Sequence, residues 1–153
     1  MAPRLRDIPL TMTIHENAIS KTSYDPDARL LTLEFYGLMK QDLGMEQITR
    51  ILEFIEDREV WGAVADIRRL RGSFIKVFDA LRYTYYPVVA KKGHRCKAIV
   101  VSDDIITEHL AAKLRDMIQE FGMEVQLFKD REQADIWIMD TLKKYHPELN
   151  SLA

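Results

Sequence analysis

One cysteine, Cys96, cannot close an internal disulfide, and its isolation points to a reducing compartment. Glycine and proline are sparse as well, 6 and 5 in 153 residues, and the chain contains no linker or low-complexity stretch. No apolar run approaches the roughly 20 residues of a membrane span. The opening Met1-Ala-Pro-Arg-Leu-Arg-Asp7 lacks the apolar centre of a signal peptide. Neither charge sign dominates: 22 Lys and Arg against 24 Asp and Glu leave −2, without the basic footprint that marks a nucleic-acid binder. His15, His94, His109 and His146 are scattered, and no HxH, HExxH or Cys/His cluster suggests a metal. There is no GxGxxG or P-loop pattern either, so no cofactor is expected. His94 and Cys96 stand beside one another at a strand start, but without an orienting group they do not make a catalytic pair. The expectation is a cytoplasmic protein that is not an enzyme.

Apolar residues make up 47% of the chain and charged residues 30%, ordinary for one soluble domain. At this length such a domain buries roughly 70% of its unfolded surface. Residues 1–13, with Pro3 and Pro9, read as a loose leader, 14–147 as the domain and 148–153 as a tail. Ile14 to Tyr24 is strand-like, Asp25-Pro26-Asp27-Ala28 is a turn, and Arg29 to Tyr36 alternates as a second strand before Gly37. Ile48, Ile51, Leu52 and Ile55 mark the stripe of a first helix. Trp61 to Ile67 predicts a third strand, followed by a short basic turn and a helix opened by Gly72-Ser73. Pro87 is expected to interrupt that helix by freeing the Tyr83 carbonyl, and Gly93 to end it. Lys97 to Val101 reads as an apolar central strand covered on both faces. A third helix follows Ser102-Asp103-Asp104, a fifth strand spans Glu124 to Lys129, and a last helix runs from Arg131 to Tyr145.

The order β-β-α-β-α-β-α-β-α predicts an α/β fold: a five-stranded mixed, mainly parallel sheet made of a hairpin, three αβ units and a C-terminal helix. With successive strands side by side, right-handed crossovers put the helices mainly on one face. The other face is then shielded, solvated or used.

Ligands of such sheets gather beyond the carboxyl ends of the parallel strands. There the chain supplies Asp66, Arg68, Arg69, Arg71, Gly72 and Ser73, and on the neighbouring strand Ser102, Asp103 and Asp104. A phosphate on Ser73 would meet the three arginines, although serine at this position is also an ordinary helix cap. One of Ser102, Asp103 and Asp104 can likewise cap a helix while the others face its dipole or a basic partner. Phe74, Phe78, Tyr83, Tyr85 and Tyr86 concentrate aromatic area beside a proline break. They form either a core or interface stripe or the wall of an apolar ligand cleft.

Four segments carry a resemblance to a known family: Tyr24 to Gly37, Ala65-Asp66 to Gly72, Tyr85-Tyr86-Pro87, and Ile99 to Asp103. Together they resemble the SpoIIAA-like branch of the STAS superfamily, a neighbour of the CRAL-TRIO lipid-transfer fold, over about Ile19 to Tyr145. The resemblance implies a non-enzymatic domain that binds an apolar small molecule or a regulatory protein at the strand ends. It also implies an alternative, a phospho-regulated partner switch like the anti-sigma-factor antagonist, with Asp66 and Ser73 in the family's acidic and phosphorylated positions. Gly72-Ser73-Phe74 stands about two residues out of register with the family's Asp-Ser-Ser-Gly run. A homodimer is a secondary expectation, because an open sheet face or edge invites pairing.

Overall fold

Six strands hydrogen-bonded in chain order form one sheet in the computed structural model, which describes residues 11–151. β2 (Ser20–Asp25) pairs antiparallel with both β1 (Met12–Glu16) and β3 (Leu30–Leu38). β3 then pairs in parallel with β4 (Gly62–Arg71), β4 with β5 (Cys96–Val100), and β5 with β6 (Glu124–Phe128). The mixed α/β architecture is the expected one, with six strands in place of five. The additional strand arises because the segment read as one strand, Ile14 to Tyr24, divides at Asn17 into β1 and β2, and β1 also takes in the end of the leader, where Met12 and Thr13 pair with Tyr24 and Ser23. The rest of that leader, residues 1–10, lies outside the described residues. A side-chain-built turn divides β1 from β2. The Asn17 carbonyl oxygen accepts the Ile19 N–H and the Ser20 hydroxyl at 3.0 Å each, and its amide donates to the Leu43 carbonyl at 3.1 Å.

The helices divide three to one across the sheet. α1 (Gln41–Phe54), the segment containing α2 (Phe78–Ala80) and α3 (Tyr86–Lys91), and α4 (Ile105–Gln119) bury Ile51, Val77, Val89 and Ile118 against Leu31, Leu33, Ala65 and Ile99. α5 (Arg131–Tyr145) crosses the opposite face, burying Ala134, Ile138 and Leu142 against Val64, Ala98 and Val100. β5 is therefore covered on both sides, as its lack of a solvent face demands. Residues 148–151 of the segment read as a C-terminal tail belong to this second core, and 152–153 lie outside the described residues. Pro147–Ser151 is a 3-10 turn with Leu149 buried, and His146 stacks on Trp61 at 3.5 Å.

Two departures from expectation shape the working end. Arg68, Arg69 and Arg71 belong to β4 and are not in a turn. β3 is nine residues long, and beyond a bulge between Glu34 and Tyr36 its residues Tyr36, Gly37 and Leu38 pair with Arg69, Leu70 and Arg71. The following helix is also not broken at Pro87. A 3-10 turn (Ile75–Val77) and α2 lead into a π turn (Leu81–Tyr85), where the Tyr86 N–H reaches back to the Leu81 carbonyl. Widening the turn absorbs the donor that proline lacks, and Pro87 then sits in the first turn of α3, where no donor is needed.

Candidate functional site

A cavity of about 70 Å3 lies between the sheet and the π-turn segment. Leu33, Ala65, Ile67 and Ile99 form its floor, Ile48 and Ile51 of α1 one wall, and Phe74, Leu81, Tyr85 and Tyr86 the other. It exists for a local reason. Ala65 is buried at the centre of the sheet, where a branched side chain would occupy the space. The facing wall passes through three kinds of helical turn before it becomes regular. Fully buried Tyr86 and Ile99 mark the closed end, and partly exposed Phe35, Met39 and Leu81 the open end.

The closed end is not apolar. Lys97, 5% exposed, donates from Nζ to the Tyr86 hydroxyl at 2.6 Å, and burial lowers its pKa from 10.5 to about 8. The Tyr85 hydroxyl is buried with no hydrogen-bond partner, and burial raises its pKa. Burial, with Tyr85 beside it, also raises the pKa of Tyr86. Behind Tyr86, the His94 ring lies nearly parallel at 6.4 Å with neither nitrogen partnered. Burial, then the charge of Lys97, pushes the His94 pKa down to about 3, so the imidazole is neutral at physiological pH. Cys96 is buried on the other side of β5, where burial pushes its thiol up to about 12 and makes it a poor nucleophile.

A second, polar cleft lies over the ends of β3 and β4 on the α5 side, lined by Glu34, Asp66, Arg68, Arg69 and Arg131. Arg68 grips Asp66 with two bonds, Nε to Oδ1 at 3.0 Å and Nη2 to Oδ2 at 2.7 Å. Arg131, at the start of α5, approaches the same carboxylate at 3.5 Å and holds Asp135 at 3.0 Å. Burial raises the Asp66 pKa, but the Arg68 hydrogen bonds and the charges of Arg68 and Arg131 outweigh it and hold the group below its ordinary value. Arg69 lies over the Tyr36 ring at 5.8 Å. The charges of Glu34, Asp66, Arg68 and Arg131 thus already answer one another, and Arg69 rests on an aromatic ring instead of a carboxylate.

The structure separates residues that the sequence grouped. Phe74, Tyr85 and Tyr86 line the cavity, whereas Phe78 packs on Phe74 at 5.8 Å and Tyr83 is 74% exposed. Gly72 turns the chain at φ +86°, and the exposed Ser73 accepts the Ile75 N–H at 3.2 Å, closing a local serine turn just before the 3-10 turn. Arg71 is exposed next to Gly72, and its carbonyl accepts the Met39 N–H at 2.8 Å. Asp104 caps α4 by accepting the Thr107 N–H and hydroxyl at 2.9 and 2.8 Å. Ser102 accepts the Asp104 N–H, and Asp103 pairs with Lys129 at 3.1 Å. Lys97, Gln47, Glu34 and Arg131 were not singled out from the sequence. The signal for Lys97 was present: in a strand covered on both faces, its period-two alternation with Ile99 points it into the helical core.

No family model matches the sequence, and no curated protein matches it. Among solved structures, the chain is similar to a crystal structure from Shewanella loihica PV-4, described as an uncharacterized protein of the DUF3478 family with a SpoIIAA-like fold. The two share 16% identity with a TM-score of 0.51, over 83% of this chain and 90% of that one. The fold is therefore SpoIIAA-like, in line with the resemblance read from the sequence, and function has to be argued from the site.

Proposed function

We propose that this protein is a non-catalytic binding domain that holds an apolar small molecule between its sheet and the Phe74–Tyr86 wall. The observation that carries this reading is the cavity beneath that wall, with an almost wholly hydrocarbon lining. Its resting volume, about 70 Å3, is roughly half the 150 Å3 of an engineered cavity that accepts benzene. Occupancy therefore requires the wall to move outward. The wall suits that movement: between Phe74 and Tyr86 its regular α-helical piece is only the three residues Phe78–Ala80, and π turns recur at functional sites.

Native mass spectrometry of freshly purified protein, followed by an NMR screen of apolar compounds, tests the reading. Binding should shift the methyl signals of Ile51, Ile99 and Leu114. Ala65→Leu, which fills the void, should abolish those shifts while the protein stays folded. A clean apo mass and no bound compound in the screen would end the proposal.

A further inference from the structure

We infer that the cavity is selective for an apolar monocarboxylate, whose carboxylate is held by Lys97 Nζ and the Tyr85 hydroxyl while its hydrocarbon part lies along the sheet toward Phe74. This inference rests on the binding reading above and adds the chemistry of the ligand's head.

Lys97 is the first reason. Its ammonium lies inside the fold, its hydrogen-bond partner is the neutral Tyr86 hydroxyl, and among the described residues no carboxylate forms an ion pair with it. Buried cations are ordinarily paired with an anion, because an isolated charge in low dielectric is expensive. The missing counter-charge is therefore one the chain does not supply.

The Tyr85 hydroxyl is the second and independent reason. Tyr85 lines the same cavity and is 2% exposed, and its buried hydroxyl has no partner. Unpaired buried hydroxyls are rare and call for a partner that the resting chain lacks. A carboxylate is acceptor-only and has two oxygens, so one head group can answer an ammonium and a phenol together. An alcohol cannot neutralise the charge. A phosphate brings further charged oxygens, and beyond Lys97 and the two tyrosines the one other polar side chain of the lining, Gln47, is engaged with the Thr22 hydroxyl at 3.0 Å.

Shape supplies the third reason. Lys97 pairs in register with Ala63, while the lining continues along β4 from Ala65 to Leu70 and on to Phe74. The polar groups thus sit at the closed end of an elongated space, and the partly exposed Phe35, Met39 and Leu81 at the other. A ligand enters tail-last, with its charged end buried.

The test compares butyrate, hexanoate, octanoate and decanoate with the matching primary alcohols at pH 7, by calorimetry and by NMR of the Ile51, Ile99 and Leu114 methyls. The best acid should bind at least about tenfold more tightly than its alcohol, the scale of a charge-assisted hydrogen bond. Lys97→Met should remove that preference by weakening the acid much more than the alcohol. Tyr85→Phe should weaken the acid severalfold and serves as the second probe if Lys97→Met does not fold. Equal binding of acid and alcohol to the wild type, or an acid preference that survives Lys97→Met, would overturn the carboxylate assignment and leave the apolar site standing. Acid-induced shifts confined to the Arg68 and Arg131 rim would also overturn it. If neither series binds, the cavity holds only solvent, and the carboxylate assignment falls together with the binding reading.

Discussion

Replacing Lys97 by methionine should stabilise the resting protein at neutral pH, and the benefit should disappear as the solution becomes alkaline. Burial holds the Lys97 amine at about 8 in the folded protein, against its ordinary 10.5. Below pH 8 both folded and unfolded chains carry the proton, and keeping the charge inside costs the folded state about 3 kcal/mol. Between 8 and 10.5 the folded protein releases its proton first, so the unfolded chain binds more protons and stability rises with pH. At pH 10 about 1 kcal/mol of the penalty remains. Methionine matches the length of lysine and removes the charge, but it leaves the Tyr86 hydroxyl without its 2.6 Å partner, a loss of about 1–2 kcal/mol. The variant should therefore be about 1–2 kcal/mol more stable than wild type at pH 7, and equal or slightly less stable at pH 10. The raised pKa values of Cys96, Tyr85 and Tyr86 act in the opposite sense at high pH, but both proteins carry them and they largely cancel in the difference. Urea unfolding of the two proteins at pH 7, 8, 9 and 10 measures that difference directly. Two parallel stability curves would refute the claim that Lys97 is a buried, strained cation.

Arg68→Met should cost about 1–2 kcal/mol at pH 7, because the partly buried Asp66 carboxylate loses both guanidinium bonds and keeps only the residue-68 backbone N–H at 3.2 Å and the longer Arg131 contact. The depressed pKa of Asp66 supplies stability above its unfolded value and loses it as the pH falls through the folded one. The deficit of the variant should accordingly shrink below about pH 4 in thermal unfolding, and a deficit constant down to pH 2.5 contradicts the pairing. Ser73→Ala should cost about 0.5–1 kcal/mol through loss of the 3.2 Å bond to Ile75 N–H, while Ser73→Asp should keep most of it, as urea midpoints will report. Gly72→Ala forces a Cβ onto φ +86° and to 3.2 Å from Leu38 Cδ1, and should lose about 1–2 kcal/mol. Trimming Leu38 to alanine should not rescue it, since the strain lies in the backbone.

Periodicity and punctuation made most of the fold legible. Leu31, Leu33 and Phe35 announce a strand with one inward face, and Ile48, Ile51 and Ile55 announce a helix lying over it. The features that escaped the sequence reading depend on pairing or on compensation between distant residues. Nothing local in Arg68-Arg69-Leu70-Arg71 distinguishes a turn from a strand until β3 extends alongside it past a bulge. Ile14 to Tyr24 reads as one strand, and its division in two appears only because Asn17 folds Met12–Glu16 back on β2. Pro87 reads as a helix breaker because proline removes one bond, yet a single wide turn upstream absorbs the loss. The candidate site was legible in part. The aromatic run at Phe74 to Tyr86 and the cap at Ser102 to Asp104 follow from residue type, whereas Arg131 joins Asp66 only because α5 returns across the opposite face.

Lys97 joins the question of fold to that of function. Every level of the sequence argues for hydrocarbon at this position: a central strand, both faces covered, and neighbours Cys96, Ala98 and Ile99 at 0% exposure. A chain selected for stability alone would carry methionine or leucine there and fill the space beside Ala65 with a larger side chain. This chain combines the void, the unpaired ammonium and the unpaired Tyr85 hydroxyl in one place. Each alone lowers stability, and one ligand with an anionic head and an apolar body relieves all three. A partner switch at the exposed Ser73 gives no account of their coincidence, because that residue closes its own turn and does not line the cavity. The interior, more than the charged rim, is where this SpoIIAA-like fold departs from what stable packing requires.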